Sequence, residues 1–236
     1  MAKINKHRYD NDYLSKLLRR SIGEDTVIKV FEWYESISNS YDDLYVSEQR
    51  IKYNNLMKLI NIGVGVNVVR DLRILDVGCG TLELLNYLLE VSKILKANLV
   101  YYVGMDISYS LLVLGRNKIR NNVIYDIIAC DLKYPPLRPY TNFNIVAFFS
   151  VLLCEYNISN ILKYFISTYL ASNGFLIFTV ICRDRSKLIN MSKHLKNELN
   201  LSECRIIRHN EILCWGVLGH GKSEESLNII RRSCNN

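Results

Sequence analysis

Proline is nearly absent: the chain has three in 236 residues, Pro135, Pro136 and Pro139, all in one short window. Proline removes a backbone donor and breaks helices, so only the segment from Lys133 to Asn142 is barred from regular helix by this means. Histidine is scarce as well, with four residues at positions 7, 194, 209 and 220. The seven cysteines stand at 79, 130, 154, 182, 204, 214 and 234, with no C-x-x-C pair and an odd total. That excludes the usual zinc spacings, and no metal site is expected. Most of them fall on or beside apolar runs, where cysteine acts as a small hydrophobe, so the expectation is a reduced set in a reducing compartment. No apolar run reaches the roughly 18 residues of a membrane span. The first twenty residues are polar and basic, without the apolar centre of a secretory signal. The expected location is cytoplasmic.

What is present is an ordinary core. Hydrophobic residues make up 49% of the chain, and the length suits one α/β domain with an extension. Charge is uneven: residues 1–20 carry six Lys or Arg against two Asp, and residues 181–236 carry ten against six acids. Each end is therefore +4 and the middle −1, so the formal +7 belongs to the flanks. Such flanks either solubilise the protein or hold phosphates of a partner such as RNA.

The chemistry-bearing stretch is Arg73-Ile-Leu-Asp-Val-Gly-Cys-Gly-Thr81, an apolar strand that breaks into two glycines and enters a helix predicted over Leu82 to Lys96. A strand–glycine–helix junction brings backbone N–H groups close to a ligand. Asp76 sits two residues before Gly78 and no third glycine follows, which argues against a dinucleotide pyrophosphate and for a ligand bearing positive charge. Asp76-Val-Gly-Cys-Gly-Thr81 resembles motif I of the class I S-adenosylmethionine-dependent methyltransferases. A second predicted strand, Leu99–Met105, ends at Asp106, 28 residues after Gly78. A third, Val123–Cys130, ends at Asp131. Phe143 to Leu152 and Gly174 to Val180 resemble the family's fourth and fifth strands.

The resemblance, closest to the ubiquinone-type members, implies a Rossmann-like α/β fold. Its sheet would be mostly parallel and seven-stranded, with helices on both faces and S-adenosylmethionine as cofactor. It implies that Asp106 accepts from the ribose hydroxyls and that Asp131 contacts the adenine. The full expected cofactor set is Asp76, Gly78, Cys79, Gly80, Asp106, Ile107, Asp131, Leu132 and Phe149. From the residues alone, Asp76 could equally serve the macrodipole of the helix that follows, and Asp106 could cap the next helix. The family has a small residue at position 82, near the methionine part of the cofactor; this chain has Leu82. Ser40-Tyr-Asp-Asp-Leu-Tyr45 resembles the Tyr-Asp cap of ubiquinone-type and small archaeal members, which makes Tyr41 and Tyr45 lid or substrate candidates.

The expected domain plan is a helical cap over residues 1–65, a cofactor domain over 66–218 and a polar tail over 219–236. In the cap, Val27–Ile37 has helical spacing, as does Leu14–Leu18, and Ile51, Leu56, Leu59 and Ile60 are expected on one helix face. Cys204–Arg208 and Glu211–Val217 are expected as a hairpin about His209-Asn210. The Asn/Asp-Pro-Pro-Tyr clamp of base-amine methylases is missing after the fourth strand, where Phe149-Ser-Val-Leu-Leu-Cys-Glu155 stands instead. Ser150 and Glu155 are the polar candidates there, Glu155 doubling as a helix-start acid. The expectation is methyl transfer, with an RNA base as acceptor. A small quinone-type molecule is the alternative acceptor, and an inactive cofactor-binding subunit of a partner complex is the third reading, motivated by Leu82.

Overall fold

A computed structural model describes residues 20, 22–63, 71–91, 98–119 and 123–218. The segment Leu14–Leu18, the loop at Gly65, the far end of the predicted helix beyond residue 91 and the polar tail lie outside the described residues.

Two helices come first, α1 (Glu24–Ile37) and α2 (Tyr41–Gly63), joined by a 3-10 turn at Ser38–Ser40. The remaining elements are β1 (Asp71–Val77), α3 (Glu83–Val91), β2 (Asn98–Asp106), α4 (Tyr109–Lys118), β3 (Tyr125–Ala129), β4 (Phe143–Leu153), α5 (Ile158–Tyr169), β5 (Leu170–Ile181), α6 (Arg185–Glu198), β6 (Glu203–Arg208) and β7 (Glu211–Leu218). The seven strands form one sheet in the order β3-β2-β1-β4-β5-β7-β6. β1 to β5 run parallel, and β7 enters antiparallel between β5 and β6. The strand order reverses direction at β1, so the crevice above the carboxyl ends of β1, β2 and β4 is where an open α/β sheet binds ligands.

Parallel strands are covered on both faces, and β4 and β5 accordingly read as continuous apolar runs rather than alternating ones. On one face α5 and α6 bury Ile161, Leu162, Phe165, Leu188 and Leu195 against Val146, Phe148, Leu176 and Phe178. On the other, α2 and α3 bury Leu56, Met57, Leu84, Leu85 and Leu88 against Ile74, Tyr102, Ile145, Ile177 and Trp215. Truncating a ring such as Phe165 or Trp215 would cost about 3–5 kcal/mol.

Three sequence expectations need correcting. The buried line of α2 is Gln49, Lys52, Tyr53, Leu56, Met57 and Leu59, whereas Ile51 is 54% exposed. Leu56 and Leu59 face inward as expected, whereas Lys52 takes the buried place expected of Ile51 because it finds partners in Glu211 and Glu48. β5 begins at Leu170, not at Gly174; Asn173, at φ 61°, makes a bend within the strand instead of a turn before it. The cysteines are not all thiols: Cys154–Cys182 and Cys204–Cys214 are disulfides, with Cys79 and Cys130 free. Linear spacing could not show these pairs. Cys204 and Cys214 are opposite each other in the β6–β7 register, and Cys154 and Cys182 follow directly on the ends of paired β4 and β5.

Candidate functional site

The β1–α3 turn is built on two left-handed glycines, Gly78 at φ 76° and Gly80 at φ 51°. A Cβ on Gly78 would lie 2.8 Å from Val151, and one on Gly80 would lie 3.1 Å from the Tyr41 hydroxyl, so both positions are tight as well as left-handed. The N–H groups of Gly78 and Cys79 both donate to the Met105 carbonyl, at 2.7 and 3.0 Å. This ties the turn to the end of β2.

That end carries Asp106. Its carboxylate accepts from Gly80 N at 2.8 Å and from Ser108 N at 2.9 Å. Ser108, not Asp106, is the N-cap of α4, accepting from Leu111 N. The capping role left open for Asp106 therefore falls to its neighbour, and the acid itself faces the cavity above the strand ends. Burial pushes its pKa up, against backbone hydrogen bonds from Ser108, Gly80 and Ile107 that hold it down.

The cavity encloses about 810 Å³ of atom-free space, mouth included. From the domain it is lined by Val77, Gly78, Met105, Asp106, Ile107, Cys130, Asp131, Leu132, Phe149, Ser150 and Val151, and from the cap by Ile22, Val27, Val30, Tyr34 and Tyr41. Of the expected cofactor set, Gly78, Asp106, Ile107, Asp131, Leu132 and Phe149 come together here, with Ser150 beside them. Asp76 does not line the cavity. Its side chain points to the opposite face of β1, where it accepts from the Tyr102 hydroxyl at 2.5 Å, and burial raises its pKa to about 7. Cys79 and Gly80 support the turn from behind the lining, Glu155 is exposed, and Tyr45 stacks on Tyr41 at 5.0 Å without reaching the cavity wall.

Leu82 is in the left-handed region too, at φ 59°, which explains why a glycine suits this position. Its side chain is fully buried and leaves the cavity alone. It fills space opened by two glycines elsewhere: a Cβ on Gly104 would meet Leu82 Cδ2 at 3.1 Å, and one on Gly115 would meet Leu82 Cγ at 2.8 Å. The departure at position 82 is thus an exchange of volume with β2 and α4.

The cap is fastened over the cavity by polar contacts. Glu35 accepts from Ser108 Oγ at 2.7 Å and from Ser110 Oγ at 2.5 Å. Asp42 accepts from Thr81 Oγ1 at 2.6 Å and pairs with Lys118. Lys133, buried in the proline-rich loop, pairs with Glu24 at 2.8 Å and with Asp131 at 3.5 Å. Tyr34 and Tyr156, which sequence reading did not single out, also line the cavity. Burial pushes each to about 12 and raises Tyr41 as well, so all three present neutral hydroxyls. Tyr34 stands on α1 and meets Tyr41 of α2 edge-on at 6.0 Å across the 3-10 turn, a contact that spacing along the chain does not show.

β4 bulges at the cavity. Phe148 pairs with Phe178 and Leu152 with Val180, so extra residues between them loop out, and Ser150 adopts φ 61°. Bulges beside active sites re-aim side chains. Here Ser150 N donates to Thr179 Oγ1 at 2.8 Å, and its hydroxyl meets Lys52 and Gln49 of α2.

No protein-family model matches the chain, and neither does any curated protein sequence. Solved structures do. One is a chain of the complex between the Haloferax volcanii Trm112 methyltransferase activator and a methyltransferase, at TM-score 0.58 and 12% identity over 82% of this chain and 99% of that one. Another is the magnesium protoporphyrin IX methyltransferase of Synechocystis PCC 6803 with bound S-adenosylmethionine, at 0.57 and 16%, covering 82% and 97%. A third is DhpI in complex with S-adenosylhomocysteine, at 0.55 and 13%, covering 85% and 100%. The protein has the class I, Rossmann-like methyltransferase fold, with the seven-stranded sheet expected of it. Among the described residues no helix is long and apolar enough to cross a membrane, and no cluster of His, Cys, Asp and Glu could hold a metal ion.

Proposed function

We propose that the protein binds S-adenosylmethionine in this cavity and transfers its methyl group to a small acceptor. The observation that carries the reading is the convergence of Gly78, Asp106 and Asp131, from the ends of three adjacent parallel strands, on one covered crevice at the switch point of the sheet. Asp106 would hold the ribose hydroxyls, and Asp131 with Leu132 the adenine. The glycine turn would let the methionine part approach the backbone. The cofactor supplies an electrophilic methyl on sulfur. The protein's own contribution is to align the acceptor and exclude water, which the cap does by closing the crevice with Val27, Val30, Tyr34 and Tyr41.

A small acceptor is favoured over RNA because the crevice is roofed by the cap and walled mostly by apolar side chains. Residues 1–19 and 219–236 of the basic flanks lie outside the described residues. Arg183, Arg185 and Lys187 follow β5 but do not line the cavity. Leu82 gives no support to an inactive site, since it packs away from the crevice. Calorimetric titration with S-adenosylmethionine and S-adenosylhomocysteine tests the cofactor. Methyl-labelled cofactor incubated with small-molecule and RNA fractions tests the acceptor. Absence of binding would overturn the reading, and label appearing only in RNA would overturn the small acceptor.

A further inference from the structure

The polar cluster behind Ser150 lies outside the proposed cofactor contacts. Lys52, 1% exposed, sits on the inward face of α2. An ammonium group has three donors and no acceptor. Lys52 forms an ion pair with Glu211 at 2.8 Å, and donates to Glu48 at 3.0 Å and to Ser150 Oγ. Arg208 balances the second acid, pairing with Glu48 at 2.5 Å. Two cations and two carboxylates thus cancel, and the net effect on the cavity is carried by the serine.

A hydroxyl has two acceptor sites and one donor. Ser150 Oγ receives Lys52 Nζ and, at 3.1 Å, Gln49 Nε2, from the only glutamine in the chain. Both acceptor sites are filled by fixed, buried groups, so the O–H is left to donate, and Ser150 lines the cavity. Accepting from an ammonium strengthens a hydroxyl as a donor. The position also fits the acceptor side. β4 lies two strands from β2 in the sheet, about 10 Å at the usual strand spacing, so Ser150 stands across the glycine turn from Asp106.

The other polar groups of the cavity narrow the chemistry. Its tyrosines are neutral, its two acids belong to the proposed cofactor contacts, and no histidine is among the described lining residues. No acid, histidine or ionised tyrosine on the cavity wall stands free beside Ser150 to remove a proton, so the site suits an acceptor that arrives already able to attack, such as a carboxylate. The surrounding wall, with Phe149, Val151 and Leu153, is apolar. We infer that Ser150, set by Lys52 and Gln49, is the hydrogen-bond donor that selects a small apolar carboxylic acid, which is methylated on its carboxylate. This rests on the cofactor reading above. One carboxylate oxygen would accept from Ser150 Oγ. A lone pair of the other would form the new C–O bond to the methyl carbon as the C–S bond breaks, its electron pair going to sulfur. Carboxylate and sulfonium charges cancel, a methyl ester and S-adenosylhomocysteine result, and no proton moves.

The test uses the full chain saturated with S-adenosylhomocysteine and titrated with phenylacetate and octanoate, each against its neutral amide. The acids should bind about tenfold or more tighter than the amides. Ser150→Ala should remove that preference and leave S-adenosylhomocysteine affinity within about twofold. Equal binding of acid and amide by the wild type would overturn the assignment without needing any variant, as would binding of neither. So would a preference that survives Ser150→Ala. Failure of S-adenosylhomocysteine itself to bind would instead overturn the cofactor reading.

Discussion

Replacing Leu82 with glycine separates a core residue from a ligand-crowding one. The side chain is fully buried between Gly104 and Gly115, so its removal leaves a cavity in the packed layer beneath the turn. Losing a buried leucine costs about 2–5 kcal/mol. Against this, Leu82 is held at φ 59°, and glycine at a left-handed position relieves about 1–2 kcal/mol of strain. The net expectation is a loss of up to about 4 kcal/mol, which for a domain of this size lowers the melting temperature by at most roughly 16 °C. Because the side chain does not line the crevice, S-adenosylhomocysteine affinity should stay within about twofold, a shift of less than 0.5 kcal/mol. Urea denaturation gives the first quantity and calorimetry the second. Tighter cofactor binding with unchanged stability would refute the placement of Leu82 and restore it as an obstacle in the site.

Asp106→Ala should weaken S-adenosylmethionine binding by about 2–4 kcal/mol in calorimetry, since two charge-assisted hydrogen bonds to the ribose would be lost; unchanged affinity would remove Asp106 from the site. Asp76 gives a pH signature: with its folded pKa raised to about 7 by burial, the folded chain keeps a proton that the unfolded chain loses from about pH 4. Stability should therefore fall as pH rises from 4 to 7, by up to about 4 kcal/mol, and denaturant midpoints should show this fall reduced in Asp76→Asn. Reduction should destabilise the protein, by about 3 kcal/mol for the Cys204–Cys214 loop and slightly more for Cys154–Cys182, with intact mass before and after reduction counting the bridges. Glu35→Ala should loosen the cap and raise the S-adenosylhomocysteine dissociation rate in stopped flow by about tenfold, if the two serine contacts are worth about 1–2 kcal/mol at this partly exposed position.

What the sequence shows well is whatever depends on neighbours along the chain. Apolar runs ending in Gly78, Asp106 and Asp131 marked three strands and their order, because a parallel sheet delivers strand ends to one edge. The hairpin at His209-Asn210 was equally legible, its two strands flanking a short turn. The misreadings are all cases in which a distant residue changes what a local one can do. Lys52 is buried because Glu211 of β7 and Glu48 meet it, whereas a pattern that assigns lysine to solvent puts the exposed Ile51 on the buried face in its place. Leu82 looked like an intrusion because Gly104 and Gly115, which make room for it, stand far along the chain. Asp76 looked like a ligand group because a strand's alternation decides which face its side chain takes, and the opposite face holds Tyr102. The residues that distinguish this site from a generic cofactor crevice are therefore those fixed by tertiary pairing. Ser150 was visible as a lone hydroxyl after the fourth strand, but its donor character required the bulge, Lys52 and Gln49 together.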